Sequence, residues 1–191
     1  MTVMDLAGTT WIDVSLLAAL AATVVGCAPG AGARPAAFAP RQVSRVYTQT
    51  LAAPADQILP LLTPLGEKAW AHGWDPAMRF EAAPPGDGTL FATRHPGEPD
   101  TIWLLETFDA PGRHVRYLHV TPGSDVTEID IQLRQVGADR TEAVVRYTYT
   151  GFSERGNALV ESRTEDYYRH FMIEWERELN DHLSRLSREP G

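Results

Sequence analysis

Four segments decide the fold: TIWLLETF (Thr101–Phe108), RHVRYLHVT (Arg113–Thr121), VTEIDIQLRQ (Val126–Gln135) and TEAVVRYTYTG (Thr141–Gly151). Each alternates apolar and polar residues and is rich in β-branched and aromatic side chains, the pattern of a half-buried strand. Between and before them lie Pro84-Pro85-Gly86-Asp87-Gly88, His95-Pro96-Gly97, Asp109-Ala110-Pro111-Gly112, Thr121-Pro122-Gly123 and Gly137-Ala138-Asp139. These clusters put φ-restricted beside φ-permissive residues, as hairpin loops require. Five such turns separate six strands. No segment between them is long enough for a helical crossover, so the spacing predicts an antiparallel meander.

Upstream, Gln42–Leu51 (QVSRVYTQTL) reads as one more strand, making seven. Pro54 suits a first helical turn. A short helix then runs through Gln57, Ile58, Leu61 and Leu62, disturbed by Pro60, and Leu65–His72 makes a second short helix before Gly73-Trp74-Asp75-Pro76. Downstream, Ser153 is the expected N-cap of a helical lead-in through Asn157 to Val160. From Glu161 onward Tyr168, Phe171, Met172, Trp175, Leu179, Leu183 and Leu186 recur at steps of three and four, drawing one apolar stripe along a long helix. The opposite face carries Glu165 with Arg169 and Asp181 with Arg185 in the favourable i,i+4 order, and Glu178 falls on the face expected to be wet. A helix with one long apolar stripe lies across a sheet. The expected class is therefore α+β, a curved seven-stranded antiparallel sheet around a C-terminal helix.

This layout is similar to the START-like, or SRPBCC, superfamily with its helix-grip fold, and most resembles its bacterial polyketide cyclase/dehydrase-like subgroup. The residues that carry the resemblance are Gly66-Glu67-Lys68 with Trp70, Gly73-Trp74-Asp75-Pro76, Phe91-Ala92-Thr93, Thr101-Ile102-Trp103, Tyr117 through Gly123, Ser153-Glu154 with Gly156-Asn157, and Trp175. The match covers roughly residues 42 to 186. The superfamily includes lipid carriers, hormone and metabolite binders, aromatic cyclases and oxygenase domains, so the resemblance specifies a fold and leaves function to be argued at the site.

Strand parity places Phe91 and Thr93, Trp103 and Leu105, Val115, Tyr117 and His119, Ile129, Ile131 and Leu133, and Val145, Tyr147 and Tyr149 each on one face. The resemblance implies that this face is concave and lines a pocket, with Trp70 and Trp74 near its mouth and Trp175 opposite on the helix. The expected ligand-binding set is thus Trp70, Trp74, Phe91, Thr93, Trp103, Tyr117, His119, Tyr147, Tyr149 and Trp175. Read singly, each aromatic fits a packed core equally well. Together with a few polar groups they fit a site for a small hydrophobic molecule. Thr93, Tyr117, His119, Tyr147 and Tyr149 would supply those groups.

His119 is the one candidate for proton transfer, the alternative being a buried histidine bonded to a tyrosine hydroxyl. His72, His95 and His114 are expected to face water. Asp166, His170 and Glu174 share a helix face off the apolar stripe and read as solvated charge. No metal and no cofactor is expected: no thiolate cluster can form from a single cysteine, and no nucleophile elbow, P-loop or dinucleotide fingerprint is present.

With 191 residues, 43% hydrophobic and 22% charged, the chain fits one globular domain plus an extension. A net charge of -8 argues against nucleic acid and anionic membrane surfaces as partners. Residues 1–27 read as a lipoprotein signal segment: the apolar run Val14–Gly26 ends at Cys27, and Val24-Val25-Gly26-Cys27 resembles a lipobox. Residues 28–40, rich in Ala, Pro and Gly, read as a tether, and 41–191 as the domain. Lipid attachment at Cys27, with an envelope location, is the resulting expectation. Asp5 and Asp13 before the run, with no Lys or Arg, disagree with an export signal; an N-terminal arm and a cytoplasmic protein are the alternatives. Three functions follow from these readings: binding or carriage of a hydrophobic molecule, cofactor-free cyclase or dehydratase chemistry on an aromatic or polyketide-like substrate, and an envelope interaction module with a vestigial cavity.

Overall fold

A computed structural model of the chain describes residues 37–82, 86–94, 97 and 99–188. The signal segment, Cys27 and His95 lie outside them, and of the tether only residues 37–40 are described, exposed and without helix or strand.

Seven antiparallel strands form one sheet: β1 (Arg41–Leu51), β2 (Ala77–Phe80), β3 (Thr89–Thr93), β4 (Thr101–Asp109), β5 (His114–Thr121), β6 (Asp125–Gly137) and β7 (Arg140–Gly151). Their order is β1-β7-β6-β5-β4-β3-β2, a meander from β2 to β7 closed by β1 on the far edge. Register shifts in β2, β4 and β6 interrupt the ladders, and such bulges bend a sheet.

Helices α1 (Ala55–Ile58) and α2 (Pro64–Glu67) flank a 3-10 turn at Leu59–Leu62. Pro54 is the N-cap of α1 and not its first residue, and the second helix ends at Glu67, well short of His72. At Gly66 a Cβ would lie 2.2 Å from the Pro60 carbonyl oxygen, so glycine allows α2 to fold tightly back on the turn.

The helix expected from Glu161 onward starts only at Glu165, after a break. Helix α3 (Glu154–Ser162) is capped by Ser153, whose Oγ accepts from Gly156 N–H; α4 (Glu165–Leu186) starts afresh, capped by Thr164. Arg163, between them, leaves the helical region at φ -78°, ψ 58°. The apolar stripe does not register this break because it begins only at Tyr168, whereas the new start is set by the Thr164 cap. The surface pairs differ too: Arg169 meets Asp166 and Asp181 meets Arg177, in place of the expected Glu165 and Arg185.

Tyr168, Met172, Leu179 and Leu183 of α4 are buried against Leu51, Val115, Ile131, Leu133 and Val145 of the sheet, while Leu186 is exposed. Helix α4 also satisfies the free edge of β1. Glu176 accepts from Thr50 N–H, Asn180 accepts from Ala52 N–H and donates to the Thr50 carbonyl, and Gln49 donates to the Met172 carbonyl. An unpaired strand edge is a template for wrong pairing, and here the helix covers its last residues.

Candidate functional site

The registers set the concave face out in rows. One row reads Phe91, Trp103, His119, Thr127 and Tyr149, and the next reads Thr89, Leu105, Tyr117, Ile129 and Tyr147. On the α4 C-terminal side come Val115, Ile131 and Val145, then Leu133 with Ala143, all in the packed core, with Ile131 also at the edge of the cavity described next. On the other side come Thr101, Thr121 and Asp125. Polarity therefore rises row by row, from an aliphatic floor through tyrosines to threonines and an aspartate.

Above the upper rows the sheet and α4 part, leaving a cavity of about 710 Å³. Its walls are Trp103, Tyr117, His119, Thr127, Ile129, Tyr147 and Tyr149 from the sheet, Phe171, Glu174, Trp175 and Glu178 from α4, and Glu67 and Ala71–Trp74 from the short-helix segment. His72, Tyr167, Phe171 and Glu174 are solvent-exposed at its rim.

Of the residues expected from sequence, Trp74, Thr93, Trp103, Tyr117, His119, Tyr147, Tyr149 and Trp175 line this cavity. Trp70 and Phe91 do not. Phe91 is wholly buried, stacked at 5.5 Å on Trp103 and capped edge-on by Trp74. Trp70 donates its indole N–H to the Leu61 carbonyl and packs edge-on against Trp175 from behind. Parity assigns a face but cannot tell the first layer of a wall from the second.

Two polar groups are already engaged. The Tyr117 hydroxyl donates to the Leu62 carbonyl at 2.7 Å, so this residue offers the cavity a ring and not a hydrogen bond. Thr93 accepts from the Trp103 indole at 2.9 Å. The hydroxyls of Tyr147 and Tyr149 make no hydrogen bond among the described residues. Burial pushes both well above the ordinary phenol value.

Among the described residues no hydrogen bond joins His119 to a tyrosine hydroxyl. Its ring lies on Trp103, its Nδ1 is buried without a partner, and desolvation, with the Arg163 charge, pulls its pKa down to about 4. His114, expected in water, is instead half-buried against Asp130 at 2.9 Å. Glu178, also expected in water, accepts from His72 N–H and closes the rim.

The sequence reading missed three acids and bases of the wall. Glu67, the last residue of α2, turns its carboxyl into the cavity, where burial raises its pKa well above the carboxylate range. Asp125 is 2% exposed; its Oδ2 accepts from Thr127 at 3.4 Å and its Oδ1 has no partner. Arg163 lies over the Tyr167 ring at 4.6 Å and the Tyr149 ring at 5.9 Å, its Nε buried and unpartnered. The Gly66-Glu67-Lys68 motif was a usable signal for the first, and nothing in the periodicity marked the other two. Among the described residues no three His, Cys, Asp or Glu side chains group as a metal site; Asp166, His170 and Glu174 are exposed on α4.

No family model and no curated protein matches the chain. Solved structures do. Norcoclaurine synthase of Thalictrum flavum, solved with dopamine and hydroxybenzaldehyde, superposes with a TM-score of 0.57 over 80% of this chain and 91% of its own, at 15% identity. A Thermus thermophilus protein gives 0.57 over 76% and 99%, also at 15% identity. An uncharacterised Rhizobium leguminosarum protein gives 0.54 over 77% and 97%, at 12%. At these identities the likeness establishes the fold, the helix grip expected from the sequence, and nothing of the chemistry.

Proposed function

We propose that the protein binds or carries a small hydrophobic molecule, aromatic or lipid-like, in the cavity between sheet and C-terminal helix. The observation that carries this is the unfilled space of about 710 Å³ beneath a helix that elsewhere packs solidly on the same sheet. Its size falls within the range of ligand pockets, and its walls combine aromatic rings with a few polar groups, as such pockets do. It is too large for the vestigial cavity of an interaction module. That norcoclaurine synthase is solved with two small aromatic compounds adds support from a shared fold. Native mass spectrometry of protein purified from its own host tests the proposal. The expected result is a non-covalent adduct released on unfolding. Adduct-free protein that also fails to bind N-phenyl-1-naphthylamine saturably contradicts it.

Glu67 favours a second reading, cofactor-free proton transfer on the bound molecule, as in a cyclase or dehydratase. A desolvated carboxyl at a cavity wall, its pKa raised by burial, is a fit proton donor and acceptor. His119, with a pKa of about 4, is unprotonated at neutral pH and suits only the accepting role. Deuterium exchange into 2-tetralone, followed by NMR in D₂O, tests this: catalysed exchange lost in Glu67→Gln supports it, and none above background contradicts it.

We propose lipid attachment at Cys27 and an envelope location on the lipobox-like Val24–Cys27 alone. Fatty-acid labelling of the full chain, abolished by Cys27→Ser, is the expected result. Unlabelled protein retaining residues 1–26 contradicts it.

A further inference from the structure

Among the described residues, four buried side-chain atoms lack a hydrogen-bond partner: Gln49 Oε1, His119 Nδ1, Asp125 Oδ1 and Arg163 Nε. Gln49 sits in the core. The other three belong to residues that line the cavity. They also belong to one end of it. His119 pairs with Thr127, and Asp125 lies two residues from Thr127 on the same strand, a diagonal of roughly 7–8 Å across the sheet. Arg163 reaches the same end from the helix break, beside Tyr149, which is the register partner of Thr127.

Buried polar atoms are almost always paired, and those left over call for a ligand or an ordered solvent molecule. Their chemistry is specific. A carboxylate oxygen only accepts, so whatever meets Asp125 must donate a proton; a guanidinium Nε–H only donates, so whatever meets Arg163 must accept. The imidazole of His119 serves either way through its tautomers. Charge narrows the choice further. A carboxylate ligand would gain Arg163 but face the lone pairs of Asp125, and an ammonium would meet the reverse. Arg163 is moreover already stacked on two tyrosine rings, and Arg155, which lines the same end, has a partner of its own.

We infer that this end of the cavity takes a neutral group that both donates and accepts hydrogen bonds, such as a hydroxyl or primary amide, on a ligand whose apolar body lies between Tyr117, Tyr147 and Trp175. This rests on the proposed ligand-binding function and narrows its ligand class.

The test compares four probes of one shape by calorimetry: naphthalene, 2-naphthol, 2-naphthoate and 2-naphthylmethylammonium. The expected order puts 2-naphthol first, about tenfold or more tighter than naphthalene, with both ions weaker than 2-naphthol. Asp125→Ala should erase the preference for 2-naphthol over naphthalene, read as the ratio of the two affinities; should that variant not fold, Arg163→Met carries the same expectation. Equal affinity for naphthalene and 2-naphthol, or tightest binding of 2-naphthoate, overturns the inference while sparing the cavity. Failure of all four to bind overturns the inference and the ligand-binding function together.

Discussion

The imidazole of His119 lies against the indole of Trp103, ring centroids 4.2 Å apart and planes tilted by 33°. This stacking buries a basic group whose Nδ1 has no hydrogen-bond partner among the described residues, which ties the stability of the fold to pH. The folded pKa of about 4 lies below the ordinary 6.5, so protons bind the unfolded chain more readily. The contribution is present in full above about pH 6.5 and is lost as pH falls toward 4. It amounts to at most about 3 kcal/mol. In urea unfolding, His119→Phe, which keeps a ring on Trp103, should therefore gain on the wild type as pH drops through this window. A constant difference between the two proteins would show that His119 is not desolvated.

Glu67 has the opposite sign. A carboxyl whose folded pKa is raised favours the native state while protonated, and that advantage is lost as pH climbs from the ordinary carboxylate range through the folded value. Glu67→Gln, neutral at every pH and of the same shape, should match the wild type near pH 4 and become progressively more stable than it toward pH 8. Parallel stability profiles would place the carboxyl in water.

Gly156 seats α3 on the sheet. A Cβ there would lie 1.8 Å from the Ser124 carbonyl oxygen and 3.1 Å from the Gly151 Cα, with backbone on both sides. Neither neighbour can yield as a flexible side chain would. Gly156→Ala should cost about 2 kcal/mol or more, read as a drop in thermal midpoint. An unchanged midpoint would mean that α3 docks less closely.

Trp70 and Trp175 meet edge to face at 5.2 Å, joining the short-helix segment to α4 behind the cavity wall. Trp175→Ala should destabilise by about 3 kcal/mol, and the double variant with Trp70→Ala should reveal a coupling of roughly 1 kcal/mol. Strict additivity would deny the contact.

Strand alternation and turn chemistry made the sheet legible in the sequence, because period two and the Pro/Gly clusters are local signals that tertiary packing reinforces. The apolar stripe likewise marked Tyr168, Met172, Leu179 and Leu183. What it could not mark was the stop at Arg163, because the stripe begins only at Tyr168 and residues 161–166 carry no apolar side chain. The same limit governed the site. Parity found the strand-borne part of the aromatic wall but could not rank depth, so Phe91 lies one layer behind it, and Trp70, which the resemblance implied at the mouth, packs behind Trp175. Asp125 escaped notice because it opens a strand beside a turn, where an acid ordinarily faces water, and here α3 covers it. The pairing of Tyr117 with the Leu62 carbonyl is a contact across 55 residues of chain, and no pattern within either segment encodes it.

The most direct measurement is fluorescence titration with N-phenyl-1-naphthylamine, comparing the wild type with Ile129→Trp, which places an indole into the cavity from its central strand. The wild type should bind the probe saturably at about one per chain. The variant, shown by circular dichroism to keep its fold, should bind at least about tenfold more weakly, since the larger ring projects from the middle of the wall into the space the probe must occupy. Equal binding by the folded variant would put the probe elsewhere on the molecule and contradict the assignment of the cavity as the ligand site.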